Sequence, residues 1–301
     1  MENFKGKGFE ISRLGLGTMR MSVNPATKRN ESIKTIHTAL DSGINLINIG
    51  DFYGINGHNE KLLGAALIGR KRDEAFISLK YAKFNPVMGK MDVGPKNVKK
   101  YIKNSLTRLG LDYVDLYQPA RIDIGIPLED TIGAISDLIE EGCVKYLGVS
   151  EVEDDILRKV HSIHPVALVE SEVSIINNEI DNTIIPVAEE LGIGIVGFGA
   201  LAFGKLFKNE NDPLNVAIRE IAKKRNVSIS QIAHAWVLNK SDNMIVLIGS
   251  RKSDRLIDSM GSKDIIFTND EITKIKSAMH DSKIMGRSMP KLVVKNSKII
   301  R

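Results

Sequence analysis

The chain has 301 residues, a formal net charge of +5, 43% hydrophobic and 26% charged residues. That mix belongs to an ordinary globular protein and excludes fibrous, low-complexity and disordered chains. Lysines and acids alternate along the helical stretches instead of gathering in one basic run, so the charge reads as a solvated surface that favours an anionic cofactor, not as a nucleic-acid footprint.

The opening MENFKGKGFEISRLG lacks the apolar core of a secretory signal, and no later run approaches the roughly 18 apolar residues of a membrane span. The expected location is the cytoplasm, with no membrane and no nucleic-acid partner. ISRLGLGT reads as the first strand. ESIKTIHTALDSG, 31 to 43, has apolar positions at helical spacing, and INLINIG follows as a strand. NEKLLGAALIG is helical, AFISLK, 75 to 80, is a strand, and PKNVKKYIKNSLTRLG is a helix with proline at its start and glycine after its end.

YVDLYQP, VKYLGVS, VALVES, IGIVGFG and MIVLIGS continue the strands, with amphipathic helices between them. The helix DNTIIPVAEELG persists despite Pro186, and further helix is expected near the C-terminus. Cys143 is the single cysteine, which excludes an intramolecular disulfide framework and suits a reducing compartment.

Eight strand-helix units in one undivided chain call for a parallel sheet with right-handed crossovers. A closed (β/α)₈ TIM barrel, one domain over 1–301, fits better than an open doubly wound sheet, because GLGTM lacks the glycine-rich dinucleotide pattern. In such a barrel chemistry gathers where strands end. Tyr53, Lys80, Arg121, Ser150, Glu170, Phe198 and Arg251 all lie at or just past predicted strand ends.

Tyr53 and Lys80 follow neighbouring strands, and an ammonium beside a phenol stabilises its anion and lowers its pKa. The pair suits a general acid. The same spacing also suits a tyrosine capping a strand and a lysine snorkelling from an apolar rim. Histidines 37, 58, 161, 164, 234 and 280 are scattered with no ligand motif, so no metal is expected, and His58 reads as ordering the loop after Tyr53. In LIGSRKSDRL a strand ends at Gly249-Ser250 and a helix opens among Arg251, Lys252 and Arg255, a combination suited to phosphate.

SRLGLGTMRMS, GDFYGINGHNEKLLGAAL, SLTRLGLDYVDLYQPARID, CVKYLGVSEV, ELGIGIVGFGAL and IGSRKSDRL occur in order, and with them nearly the whole chain resembles an aldo-keto reductase. The fourth strand resembles the bacterial branch with a YxPARxD motif. The resemblance implies metal-free hydride transfer from NADPH to an aldehyde or ketone, with Tyr53 as proton donor and Lys80 tuning it. It further implies that Ser150 and Glu170 bind the carboxamide, that Phe198 stacks on the nicotinamide, and that Ser250, Arg251 and Arg255 hold the 2′-phosphate of NADP(H). Cofactor contacts are implied as well for Thr18, Met19, Gly199, Leu201, Gly249, Asp258 and Ser259. A small-molecule carbonyl substrate and a monomer or weak homo-oligomer follow.

Three positions depart from the family pattern: Asn48 replaces an aspartate that pairs with the lysine, Ala120 replaces a histidine, and Glu170 replaces a glutamine. A lost carboxylate a few Å away forgoes about 4 kcal/mol of Coulomb energy at an effective dielectric near 20. Lys80 is therefore expected to lose its proton more readily, and Asn48→Asp to raise turnover. Asp51, three residues along, is expected to face elsewhere. The short FKNENDP stretch and a tail that keeps only the GR of the family pattern suggest a more open pocket. These departures also allow a second reading, an NADP(H)-binding pseudoenzyme with a regulatory or scaffold role.

Overall fold

The computed structural model describes residues 2–24, 26–85 and 87–300. Its opening hairpin, β1 (Asn3–Gly6) and β2 (Phe9–Ser12), precedes the barrel strands β3 (Leu14–Gly17), β4 (Leu46–Gly50) and β5 (Phe76–Tyr81). A small hairpin, β6 (Lys83–Asn85) and β7 (Lys90–Asp92), comes next. The barrel then resumes with β8 (Val114–Pro119), β9 (Val144–Ser150), β10 (Val166–Glu172), β11 (Gly194–Phe198) and β12 (Met244–Ile248). The eight barrel strands pair in parallel, in chain order, and β12 closes on β3. A last pair, β13 (Val294–Lys295) and β14 (Lys298–Ile299), joins β7.

Helices fill the crossovers: α1 (Met19–Val23), α2 (Arg29–Asp41), α3 (His58–Leu67), α4 (Pro95–Leu109), α5 (Leu128–Glu140), α6 (Asp154–Ile163) and α7 (Ile184–Leu191). After β11 come α8 (Pro213–Arg225) and α9 (Ile229–Leu238), and after β12 come α10 (Ser253–Met260) and α11 (Asn269–Asp281). Helix α4 has proline in its first turn and closes on Gly110 at φ 68°, as the sequence pattern anticipates. Pro186 is tolerated because it stands in the first turn of α7, where its missing N–H would have no intrahelical partner.

The eight-strand barrel agrees with the sequence reading, but the first strand does not run unbroken. ISRLGLGT divides at Arg13, whose guanidinium donates to the carbonyl oxygens of Met244, Leu238 and Ser241 at the barrel floor. Residues before Arg13 belong to the hairpin. That hairpin packs Phe4 and Ile11 against Leu46, Phe76, Leu116 and Ile245, so it plugs the lower interior with apolar side chains. The polar contents of the barrel are thereby confined to its upper end.

Candidate active site

Tyr53 leaves the barrel three residues after β4 ends, and its backbone N–H donates to the Gly50 carbonyl at 3.1 Å. A Cβ on Gly50 would lie 3.0 Å from the Tyr53 ring, so the absence of a side chain lets the ring fold back across the strand end. Gly54 turns the chain at φ 81°, a conformation open to glycine, with the Ser22 carbonyl close by. Asn59, in the first turn of α3, accepts from the Gly50 N–H at 3.2 Å and donates to the Ser22 hydroxyl at 2.9 Å. His58 meets the same hydroxyl at 2.9 Å and orders this loop, as the sequence suggests.

Within the barrel, the Lys80 ammonium lies 2.5 Å from Glu170 Oε1, with the two residues 5% and 2% exposed. Glu170 Oε2 accepts from Asn48 Nδ2 at 2.8 Å and from Gln118 Nε2 at 2.7 Å. β10 stands opposite β4 around the ring, so Glu170 reaches across the interior to meet residues of β4, β5 and β8. The expectation of an unpaired Lys80 is therefore corrected. Its carboxylate comes from the far wall, and Asn48, placed by sequence among the catalytic positions, acts by holding that carboxylate.

The protonation balance changes accordingly. Burial pulls the Lys80 pKa down, but the Glu170 charge, the hydrogen bond to Glu170 and the charge Tyr53 carries once ionised outweigh it, leaving Lys80 above its ordinary value. Lys80 stays a cation, contrary to the sequence expectation. For Tyr53, burial pushes the phenol up and the Lys80 ammonium pulls it down, with burial the stronger. The lowering influence anticipated from sequence is present, yet the phenol itself sits above its ordinary value and is protonated at neutral pH.

Gln118 carries no signal strong enough to stand out in the sequence, although the alternation in YQPA places it on the same strand face as Ala120. Its Oε1 and the Ser150 hydroxyl are buried polar atoms with no hydrogen-bond partner among the described residues. Arg121 is also drawn in. Burial, followed by the charge of Arg287, holds its guanidinium below the ordinary value against the pull of Glu151, and its charge acts on both Tyr53 and Lys80. Asp51 faces away from Lys80, as expected: its carboxylate accepts from the Ala82 N–H at 3.0 Å. Asp51 instead lines a separate cavity of about 380 Å³ with Asp92, Lys100, Tyr101 and Arg108, beside rather than over the Tyr53–Lys80 pair.

Phe198 ends β11 half-buried, with the Lys80 ammonium 5.4 Å from its ring centre. Gly199 follows at φ 79°, and Leu201 leads into a short 3₁₀ stretch, Ala202–Phe207, that takes up the brief connection to α8. Thr18 is buried, its hydroxyl within 2.8 Å of the Asn48 carbonyl and 3.0 Å of Asn59 Oδ1, while Met19 is half-buried.

Around the mouth beyond β12, Ser250 folds its hydroxyl onto Lys252, donating to the carbonyl at 2.8 Å and accepting from the N–H at 3.1 Å. Gly249 is exposed, Arg251 reaches Thr27 at 3.3 Å, and Arg255 is exposed in the first turn of α10. Arg251 and Lys252 precede that helix instead of opening it. Asp258 binds the Ser228 hydroxyl at 2.7 Å, and Ser259 is buried on the same helix.

The C-terminal tail is fastened, not loose. Arg287 pairs with Glu151 and, at 2.9 Å, with Glu179, while the N–H groups of Ser288 and Met289 donate to the Glu172 carboxylate at 2.6 and 3.2 Å. Glu151 and Glu172 stand at the ends of β9 and β10. The tail is therefore anchored to the rim at the strand ends next to the GR dipeptide that the sequence retains. Among the described residues, no cluster of histidine, cysteine and carboxylate side chains is arranged to hold a metal, and no helix is long and apolar enough to cross a membrane.

With this geometry in place, comparison with known proteins is decisive. The sequence model of the Aldo/keto reductase family matches residues 13–280. The chain belongs to the aldo/keto reductase family. It is 31% identical, over an alignment of 309 positions, to a probable aldo-keto reductase 1 of Glycine max, covering 93% of this chain and 89% of that protein. Among solved structures, a thermostable aldo-keto reductase in complex with the inhibitor epalrestat superposes with a TM-score of 0.80 at 25% identity, over 92% of this chain and all of that one, 100%. The glycerol dehydrogenase of Gluconobacter oxydans shares the fold, with a TM-score of 0.81 at 24% identity over 93% of this chain and 96% of that one. An aldo/keto reductase is an oxidoreductase acting on a carbonyl or alcohol group, and a barrel with its polar interior at the strand ends is the setting such chemistry needs.

Proposed function

We propose that this aldo/keto reductase uses NADPH to reduce an aldehyde or ketone to an alcohol, with Tyr53 as the proton donor and Lys80 as the charge that supports it. The reading is carried by one observation: a phenol, 8% exposed, and a buried ammonium paired with Glu170 at 2.5 Å stand at the ends of the neighbouring strands β4 and β5.

Bound NADPH would supply a hydride to the carbonyl carbon. The chain's residues provide the rest. As negative charge grows on the carbonyl oxygen, the Tyr53 O–H donates to it, and the Lys80 ammonium stabilises the phenolate left behind. Arg121 stands close enough to act on Tyr53 electrostatically and offers a second cationic influence where Ala120 provides no donor. The orphaned Ser150 hydroxyl suits the carboxamide of a nicotinamide, which both accepts and donates hydrogen bonds. Phe198 offers an aromatic face, and Arg251 and Arg255 offer guanidinium groups for a 2′-phosphate. A cytoplasmic location suits this cofactor.

The regulatory alternative rests on Asn48, Ala120 and Glu170; the Glu170 contact with Lys80 answers the first, while Ala120 and the carboxylate at 170 remain on its side. The test is an NADPH-consumption screen over aldehydes, ketones and quinones with Tyr53→Phe as control. Turnover that Tyr53→Phe abolishes is the expected result. NADPH binding with no turnover of any carbonyl would favour the regulatory alternative, and turnover surviving in Tyr53→Phe would remove the phenol from the reaction.

A further inference from the structure

The upper barrel holds one buried ammonium and one buried carboxylate in direct contact, and the carboxylate is claimed on both sides. Lys80 takes one oxygen of Glu170 at 2.5 Å, and the amides of Asn48 and Gln118 take the other at 2.8 and 2.7 Å. Both oxygens thus face the lysine and its neighbours on β4 and β8. These three donors occupy most of the roughly four acceptor positions that a carboxylate offers.

The groups acting on Lys80 can be sorted by sign. Burial and the Arg121 charge favour the neutral amine; Glu170, joined by Tyr53 once it ionises, favours the cation. Phe198 presents an aromatic face 5.4 Å away. Asp51 binds the Ala82 N–H, and Glu151 and Glu172 are engaged by the tail at Arg287, Ser288 and Met289. Glu170 is therefore the carboxylate in contact with this ammonium.

We infer that Glu170 is a positioning residue that keeps Lys80 charged for Tyr53, and that it is withheld from the nicotinamide carboxamide. The inference rests on the reductase reading of Tyr53 and Lys80. Because Asn48 Nδ2 already touches Glu170 Oε2, the acid and the amide can exchange places with no change in net charge: Asn48→Asp with Glu170→Gln moves the carboxylate to the near wall and leaves an amide on the far one. The amide that Glu170→Gln introduces can donate as well as accept, which a carboxylate cannot do.

The test combines turnover, NADPH binding and the NMR titration of Lys80 Cε in the full chain. In Glu170→Gln the Lys80 titration is expected to fall by about 2 pH units or more. kcat is expected to fall ~100-fold, the scale of an impaired general acid, with NADPH affinity unchanged or tighter. The double variant should return the titration toward wild type and bring kcat to within about tenfold of it. A residue that served the cofactor and not the lysine would behave differently: Glu170→Gln would leave the Lys80 titration and kcat unmoved, and either result overturns the inference. If Glu170→Gln does not fold, the charge-conserving double variant carries the test, and a double variant that folds but stays inactive overturns it. A Lys80 titration that shifts as expected in a protein reducing no carbonyl would sink the reductase reading and leave the Glu170 assignment standing.

Discussion

Glu170, on β10, forms its ion pair with Lys80, on β5, across the barrel interior at 2.5 Å. Two charges this deeply buried are tolerated because each has the other and because Asn48 and Gln118 occupy the remaining carboxylate oxygen. Removing one partner would strand the other, at a cost of roughly 3–5 kcal/mol.

Asn48→Asp alone is expected to lower turnover, reversing the expectation drawn from sequence. The new carboxylate would meet Glu170 Oε2 near the present contact of 2.8 Å. Like charges at that separation repel by about 6 kcal/mol at an effective dielectric near 20, before a proton or water relieves them. Steady-state kinetics and thermal melts at alkaline pH check this: kcat and melting temperature should both drop. A gain in kcat would show that Glu170 does not already serve Lys80.

Gly50→Ala should misplace the Tyr53 phenol while leaving the barrel intact. The added methyl would stand 3.0 Å from the Tyr53 ring, closer than ordinary contact, and the ring is packed with no room to retreat freely. A stability loss of about 1–3 kcal/mol and a fall in kcat of at least ~10-fold are expected. Denaturant melts separate the two effects, and an unchanged kcat would mean that the ring accommodates the methyl in place.

Arg255→Ala should discriminate between cofactors. The side chain is exposed, so its loss should leave folding unaffected, while a missing charge-assisted contact to a 2′-phosphate weakens NADPH binding ~10-fold and NADH binding not at all. Fluorescence titration of Trp236 or the tyrosines with both nucleotides gives the comparison. Equal losses for the two would remove Arg255 from the phosphate site.

Asp51 makes stability depend on pH. Burial pushes its carboxyl from 3.8 up to about 7. Below 3.8 both folded and unfolded chains keep the proton; as pH rises, the unfolded chain releases it first, so this contribution to stability is lost progressively until about pH 7. At roughly 1.4 kcal/mol per tenfold, and allowing for partial exposure, the loss is roughly 2–4 kcal/mol. Asp51→Asn should therefore stabilise the protein more at pH 8 than at pH 5, by roughly 1–3 kcal/mol in paired chemical melts, because about a third of the loss is already complete at pH 5. A gain independent of pH would mean that Asp51 ionises normally in the fold.

Much of this protein is legible in its sequence. The period-2 and helical runs fix eight strand-helix units, because each must bury an apolar face, and strand ends mark Tyr53, Lys80, Ser150 and Phe198 as neighbours of one rim. Less legible is the split at Arg13, since the run through ISRLGLGT is equally apolar on both sides and only the barrel floor gives Arg13 its three carbonyl partners. Local sequence also shows that position 48 lacks a carboxylate and that position 170 has one. It cannot show that the two meet, because they lie 122 residues apart on opposite walls. Closure of the barrel brings them within hydrogen-bond reach and sets Glu170 against Lys80, whose charge the buried contact supports.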